Sequence, residues 1–198
     1  MISNYMNTSK TDKIKLSILI CSVVDRKEQF MNLISELKRQ TYEKPVEVIS
    51  YIDDRNVPVG EKRNKLLNDA IGDYIAFIDD DDEVSDRYVD LILEAIKEGS
   101  DCVGLRLEYW DDGIKKGIAE HSIKYSEWKT KTIEYDTYFF ERTPNHLNPI
   151  KRLIAQKAKF PEVNHGEDHA WSNEIRPYIA TEEMVEPILY YYKHVSDK

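Results

Sequence analysis

Residues 15–22 (KLSILICS) form a short, continuous apolar run. A strand covered on both faces needs no polar alternation, so this run predicts a buried strand. Residues 27–40 follow with Phe30, Leu33, Ile34 and Leu37 on one side, the spacing of an amphipathic helix. Pro45 punctuates, residues 46–52 predict a second strand, and Asp53 and Asp54 stand at its end. The cycle then repeats. Residues 60–71 carry Leu66, Leu67, Ala70 and Ile71 at helical spacing, with Gly72 as the expected glycine stop. Residues 74–78 predict a third strand that runs straight into Asp79, Asp80, Asp81 and Asp82. Residues 86–98 turn Val89, Ile92, Leu93 and Ile96 inward and close at Gly99, and residues 102–107 predict a fourth strand.

Strands alternating with helices over short connections imply an α/β fold, a mostly parallel Rossmann-type sheet flanked by helices. Ligands in that architecture bind at the carboxyl ends of the strands, where both acidic clusters fall. The second half is less regular. Residues 111–125 predict a hairpin turning near Asp112 and Gly113, and Thr143, Pro144 and Asn145 a loop. Residues 150–155 predict a strand, 166–175 a helix and 184–195 a late strand. No repeat or linker divides the chain, so residues 14–198 read as a single domain behind a loose tail at 1–13.

At 198 residues the chain is long enough for one well-buried domain. A net charge of −9 disfavours nucleic acid as a partner, and a phosphorylated ligand would need a metal or a few placed cations. Cys21 and Cys102 sit inside apolar runs, with neither a disulfide framework nor zinc spacing, which fits a reducing, cytoplasmic setting. No run approaches the ~18 apolar residues of a transmembrane segment. Residues 1–13 lack the apolar centre of a secretory signal.

Four successive aspartates repel one another unless a cation neutralises them, and a hard divalent ion with oxygen ligands does this well. Alternate residues of an extended segment share a face, so Asp79 and Asp81 form a clamp suited to a metal on a diphosphate. The plain alternative is a solvated acidic turn before the next helix. A calcium loop fits less well, because no glycine stands at its sixth position.

The stretch GEKRNKLLNDAIGDYIAFIDDDDEV, residues 60–84, resembles the family-two glycosyltransferases of the GT-A fold. A Gly-x-x-Arg-Asn helix start, an Ala-x-Gly-Asp-Tyr turn, an apolar strand and the Asp-x-Asp motif occur here in that family's order. Gly166-Glu167-Asp168 matches its later Glu-Asp motif. The resemblance implies inverting, metal-dependent transfer from a nucleotide sugar, commonly UDP-linked, to a glycan, lipid or protein acceptor. It implies a nucleotide-binding half at 14–110 and an acceptor-binding half at 111–198. Asp53 would contact base or ribose, Arg63 the base or diphosphate, and Asp79 and Asp80 the ribose or donor sugar. Asp81, with Asp79, would hold manganese or magnesium, and Asp168 would be the general base. Where many relatives carry Thr-Tyr-Asn after the first strand, this chain has Val23, Val24 and Asp25. Aromatic stacking on the base is therefore in question there, while Val23 and Asp25 keep the nucleotide-facing positions.

His194 matches the C-terminal histidine that completes the metal shell in several GT-A enzymes, or is an exposed histidine. His146, Asn148, Glu167, His169 and Trp171 are candidates for contacting donor sugar or acceptor. His165, Asp168 and His169 could instead form a small metal site on one helical turn, although zinc sites usually add more His or Cys. Core packing is the ordinary role of Trp110, Trp128 and Trp171. Two other classes compete with the transferase. A sugar-phosphate nucleotidyltransferase would carry a Gly-rich loop after the first strand, and CSVVDRKEQF has no glycine. A non-catalytic module for nucleotide sugars or glycans would bind without turnover.

Overall fold

The structure is a computed structural model that describes residues 2–6 and 13–195. The elements, in chain order, are β1 (Ile2–Met6), β2 (Leu16–Val23), α1 (Lys27–Thr41), β3 (Val46–Asp53), α2 (Val59–Asp69), β4 (Tyr74–Phe77) and β5 (Glu83–Val84). They continue as α3 (Tyr88–Ala95), β6 (Cys102–Asp111), β7 (Ile114–His121), β8 (Lys129–Glu134), β9 (Thr137–Arg142) and β10 (Ile150–Lys151). The last three are α4 (Arg152–Ala155), α5 (Glu167–Ile175) and β11 (Glu182–His194).

One mixed sheet runs in the order β1-β3-β2-β4-β10-β6-β7-β9-β8, with β11 on β6 and β5. Its centre is the expected parallel set. Strand β2 lies between β3 and β4, with Val23 beside Asp53 and Leu19 beside Phe77. Alternation along these strands builds two cores. Leu16, Ile18, Ile20, Val46, Val48 and Ala76 face α1 and α3, while Leu19, Cys21, Ile49, Ile75 and Phe77 face α2 and α5. Each fully buried Leu or Ile is worth about 1.5–3 kcal/mol, so covering both faces is what fixes the register.

Beyond β4 the sheet changes direction. Strand β10 is antiparallel to both β4 and β6, and β6 pairs antiparallel with β7 and parallel with β11. The β6–β7 hairpin turns at Asp112 and Gly113, both at positive φ (47° and 77°), as an Asp-Gly hairpin turn requires. Phe77 N–H donates to the His146 carbonyl at 2.9 Å, so the loop after β9 crosses the carboxyl end of β4.

Four expectations change. Residues 2–6 of the supposed loose tail form an edge strand antiparallel to β3, while residues 7–12 lie outside the described residues. The strand predicted at 150–155 is two residues of β10 followed by the helical turn α4. Strands β8 and β9 went unread, because β8 (KTKTIE) is exposed along its length and carries no burial pattern. Gly72 is not a left-handed helix stop. A Cβ there would lie 2.7 Å from the Ser17 nitrogen, so glycine serves close approach, whereas Gly99 at φ 75° does cap its helical segment. Among the described residues no helix is long and apolar enough to cross a membrane.

Candidate functional site

The carboxyl ends of β2 and β4 open onto a cavity of about 1710 Å³, whose far wall comes from β9, α5 and the end of β11. That exceeds the roughly 300–1,000 Å³ of a typical single-ligand pocket.

The four aspartates divide into separate roles as the chain leaves β4. Asp80 turns inward, accepting from Ser22 Oγ at 2.6 Å and from Arg26 Nη1 at 2.9 Å. Asp81 stays half-exposed on the cavity wall, where Arg26 Nη1 also lies 2.9 Å from its Oδ2. Burial, opposed by Arg26 and reinforced by Asp79 and Asp80, raises its pKa. Asp82 is buried and bonded to the last strand, accepting from Tyr190 Oη and from the Lys193 N–H, each at 2.7 Å. Burial and the charge of Asp79 push its pKa well up. Tyr190 Oη in turn accepts from the Asp79 N–H at 3.1 Å, so strand β11 and the acidic turn are tied at three points.

Asp79 faces the other way. Arg63 Nη2 donates to its Oδ1 at 3.0 Å and His146 Nε2 sits 3.4 Å from its Oδ2. Burial raises the Asp79 pKa, but the charges of His146 and Arg63 outweigh it and hold the carboxyl below the ordinary range. Among the described residues the other nitrogen of His146, Nδ1, has no hydrogen-bond partner, and it lies 3.5 Å from Asp168 Oδ2. One buried imidazole thus stands between the strand-end carboxylate and the first turn of α5.

The Gly-x-x-Arg-Asn start of α2 now has a mechanical reading. All three residues fasten α2 to the segment that carries Glu167 and Asp168. Gly60 lets the Pro161 carbonyl approach, since a Cβ would lie 1.8 Å from that oxygen. Arg63 lies 3.2 Å from Glu167 and over the packed pair of Phe77 and Phe160 rings, 5.6 Å from each centre. Asn64 exchanges two hydrogen bonds with the Phe160 backbone at 2.8 and 2.9 Å. Burial raises the Glu167 pKa, with Arg63 acting against it.

The residues available to a divalent ion are Asp81, Asp79 and His194, which share the cavity wall. Among the described residues no three His, Cys, Asp or Glu side chains converge on one point, so most of the coordination would come from ligand oxygens and water. Asp81, raised by burial and then by the charges of Asp79 and Asp80, fits such an ion. His194 Nδ1 meanwhile pairs with Asp111 at 2.8 Å.

The sequence model of glycosyl transferase family 2 matches residues 24–165. The chain belongs to glycosyl transferase family 2. No curated protein matches the sequence. Among solved structures it is similar to S. aureus TarS 1-349 (15% identity, TM-score 0.63, 90% of this chain and 60% of that one). It is similar to S. aureus TarS (16%, 0.65, 90% and 36%) and to TarS 1-349 in complex with UDP-GlcNAc (16%, 0.63, 93% and 60%). The chain therefore spans 60% or less of the TarS chains it matches, and at this identity the likeness is one of fold.

Within this family-2 domain the expected site residues fall into two groups. Val23, Arg63, Asp79, Asp80, Asp81, His146, Glu167, Asp168 and His194 line the one cavity. The others do not. Trp171 is wholly buried, stacked on Phe160 at 4.5 Å and donating to the Ala155 carbonyl, so it belongs to the core and not to a sugar site. Asn148 is also wholly buried, donating to the Val103 carbonyl and accepting from the Asn145 N–H, a loop brace and not a sugar contact. Asp25 is off the cavity wall and pairs with Arg55, which lines it. Asp53 lies behind Lys62, whose Nζ donates to it at 2.7 Å, and it accepts the Val57 N–H as well. His169 sits with its ring edge-on to Trp128. His165 also lines the cavity, but no metal cluster forms with it among the described residues. Missed by sequence reasoning were Ser22, Lys62, His121, Arg142 and the Tyr190 tie. Only Lys62, inside the matched motif, carried a readable signal.

Proposed function

We propose that this family-2 domain transfers a sugar from a UDP-linked donor to an acceptor hydroxyl, with inversion and with a divalent ion, manganese or magnesium. One observation carries the reading. His146 stands between Asp79, on the donor side, and Asp168, on the acceptor side of the same cavity. The two TarS structures solved with UDP-GlcNAc and with UDP make a UDP sugar the first donor to try.

Asp168, in the first turn of α5 where a negative charge is favoured, would take the proton of the acceptor hydroxyl. The hydroxyl oxygen bonds to the anomeric carbon as that carbon's bond to the diphosphate breaks, and UDP leaves with the electron pair. Arg63 and His146 fix Asp79 toward the donor, and Arg26 supplies a standing positive charge beside Asp81. Asp81 and His194, beside Asp79, would hold the ion, which when bound offsets charge on the leaving diphosphate. The acceptor class is a glycan, a lipid or a protein.

The test is product analysis with manganese, a set of UDP sugars and a broad acceptor panel. Asp168→Asn should lower kcat by roughly 100-fold or more while UDP binding persists. Asp81→Ala should remove the dependence of UDP binding on manganese. Wild-type turnover in Asp168→Asn ends the base assignment, and a product that keeps the donor's anomeric configuration ends the inverting one.

A further inference from the structure

Six cationic side chains line the cavity: Arg26, Arg55, Lys62, Arg63, Arg142 and Lys193. Five of them already face a carboxylate: Arg26 meets Asp80 and Asp81, Arg55 meets Asp25, Lys62 meets Asp53, Arg63 meets Asp79, and Lys193 meets Glu83. Arg142 alone has no carboxylate oxygen within 4.0 Å among the described residues. In a chain of net charge −9, that is a cation kept apart from a plentiful supply of partners.

Its position is built. The guanidinium carbon lies 5.0 Å from the centre of the Trp128 ring and 5.2 Å from that of Phe140. Nη1 donates to the carbonyls of Lys129 and Glu141, at 2.8 and 2.9 Å, and so fixes the rotamer. The Trp128 indole N–H donates to Thr143 Oγ1 at 2.9 Å, which orients the indole. Burial pushes the Arg142 pKa down, and only the Tyr109 hydroxyl acts against it. A half-buried charge held this way, with donors to spare, is a ready partner for an anion.

Along the sheet Arg142 is set apart from the aspartates. Arg142 ends β9, four places along the sheet from β4, where the aspartates lie. It does stand close to the base. From Arg142 to His146, which stands between Asp79 and Asp168, is at most about 14 Å of extended chain. The wall around it is aromatic, with Tyr109 stacked on Tyr192 at 5.4 Å and packed against Phe140 at 4.9 Å. Rings with an apolar face and a polar tip suit a carbohydrate.

We propose that Arg142 and Trp128 form an acceptor subsite for an anionic carbohydrate, one bearing a carboxylate or a phosphate beside the hydroxyl that is glycosylated. This rests on reading the second half as the acceptor side. The test follows the Trp128 indole N–H resonance, assigned by its loss in Trp128→Phe. The full chain is titrated with a methyl glucoside, a methyl glucuronide and a hexose phosphate, with and without UDP. At least one charged sugar should bind at least about tenfold more tightly than the glucoside, the scale of a hydrogen bond to a charged group. Which one does so separates carboxylate from phosphate. Arg142→Met should erase the preference and Arg142→Lys should keep part of it. No preference in the wild-type protein, or one that survives Arg142→Met, overturns the proposal. So does a fall in UDP affinity in Arg142→Met by the same factor, because the cation would then serve the diphosphate. A protein that ignores UDP yet favours charged sugars would remove the donor assignment and leave this subsite standing.

Discussion

Gly60→Ala adds one methyl group where the structure leaves no room for it. The new Cβ would lie 1.8 Å from the Pro161 carbonyl oxygen and 3.4 Å from the Glu167 Cβ. The first distance is short of van der Waals contact by roughly 1.5 Å. Gly60 is not among the residues at positive φ, so alanine suits the local backbone and all of the strain is contact. The relief is to move the 161–166 segment off α2, and Glu167 and Asp168 move with it. Overpacking of this kind costs about 1–3 kcal/mol. For a domain of this size that lowers Tm by roughly 3–10 °C. Moving a reacting group by about 1 Å costs on the order of 100-fold in rate. Gly72→Ala is the control. Its Cβ would clash with Ser17, again by contact alone, but at the amino end of β4, away from the cavity. Thermal melts and steady-state kinetics on both variants should show similar destabilisation and a large kcat loss in Gly60→Ala only. Equal kinetic losses, or wild-type kcat in Gly60→Ala, would refute the claim that this glycine places the base.

Two further outcomes follow from burial. Burial pushes the pKa of His121 from 6.5 down to about 4, with the Asn148 and Asn145 hydrogen bonds acting against it. The unfolded chain then binds the extra proton between those values, so this contribution is complete above pH 6.5 and is lost as pH falls toward 4. Its full size is about 3 kcal/mol. Urea unfolding should show the wild-type advantage over His121→Gln shrinking across that window, and an NMR titration placing the ring near 6.5 would refute the assignment. Trp171→Ala should cost about 3–5 kcal/mol, read by chemical denaturation, because it empties the centre of the core between α5 and the sheet. A loss below about 1 kcal/mol would return Trp171 to the candidate sugar contacts.

The first half was legible because its signals agree. Strands β2, β3 and β4 are buried on both faces, and α1, α2 and α3 each show one apolar stripe. Residues 150–155 (IKRLIA) misled because a short apolar run does not distinguish a strand from a turn of helix. Arg142 was invisible for a different reason: it ends a half-buried strand whose outer neighbour, β8, is exposed throughout. Trp171 and Asn148 were read as contacts because an aromatic or an amide near a motif fits a brace as well as a ligand site. His146 could be named but not placed, since its role depends on the loop after β9 returning to Phe77.

The three-point tie between the acidic turn and β11 joins residues more than a hundred positions apart. A fragment that stopped after β6 would contain every aspartate of the motif, with the partners of Asp80 and Asp81 on β2 and the segment after it, but without the tie to β11. Asp82 would be left without its two donors, and the Asp79 N–H would have to look to water. During synthesis, then, the acidic turn gains its last three bonds only when β11 has emerged and docked, and strain applied to that strand would be felt first at Asp79 and Asp82.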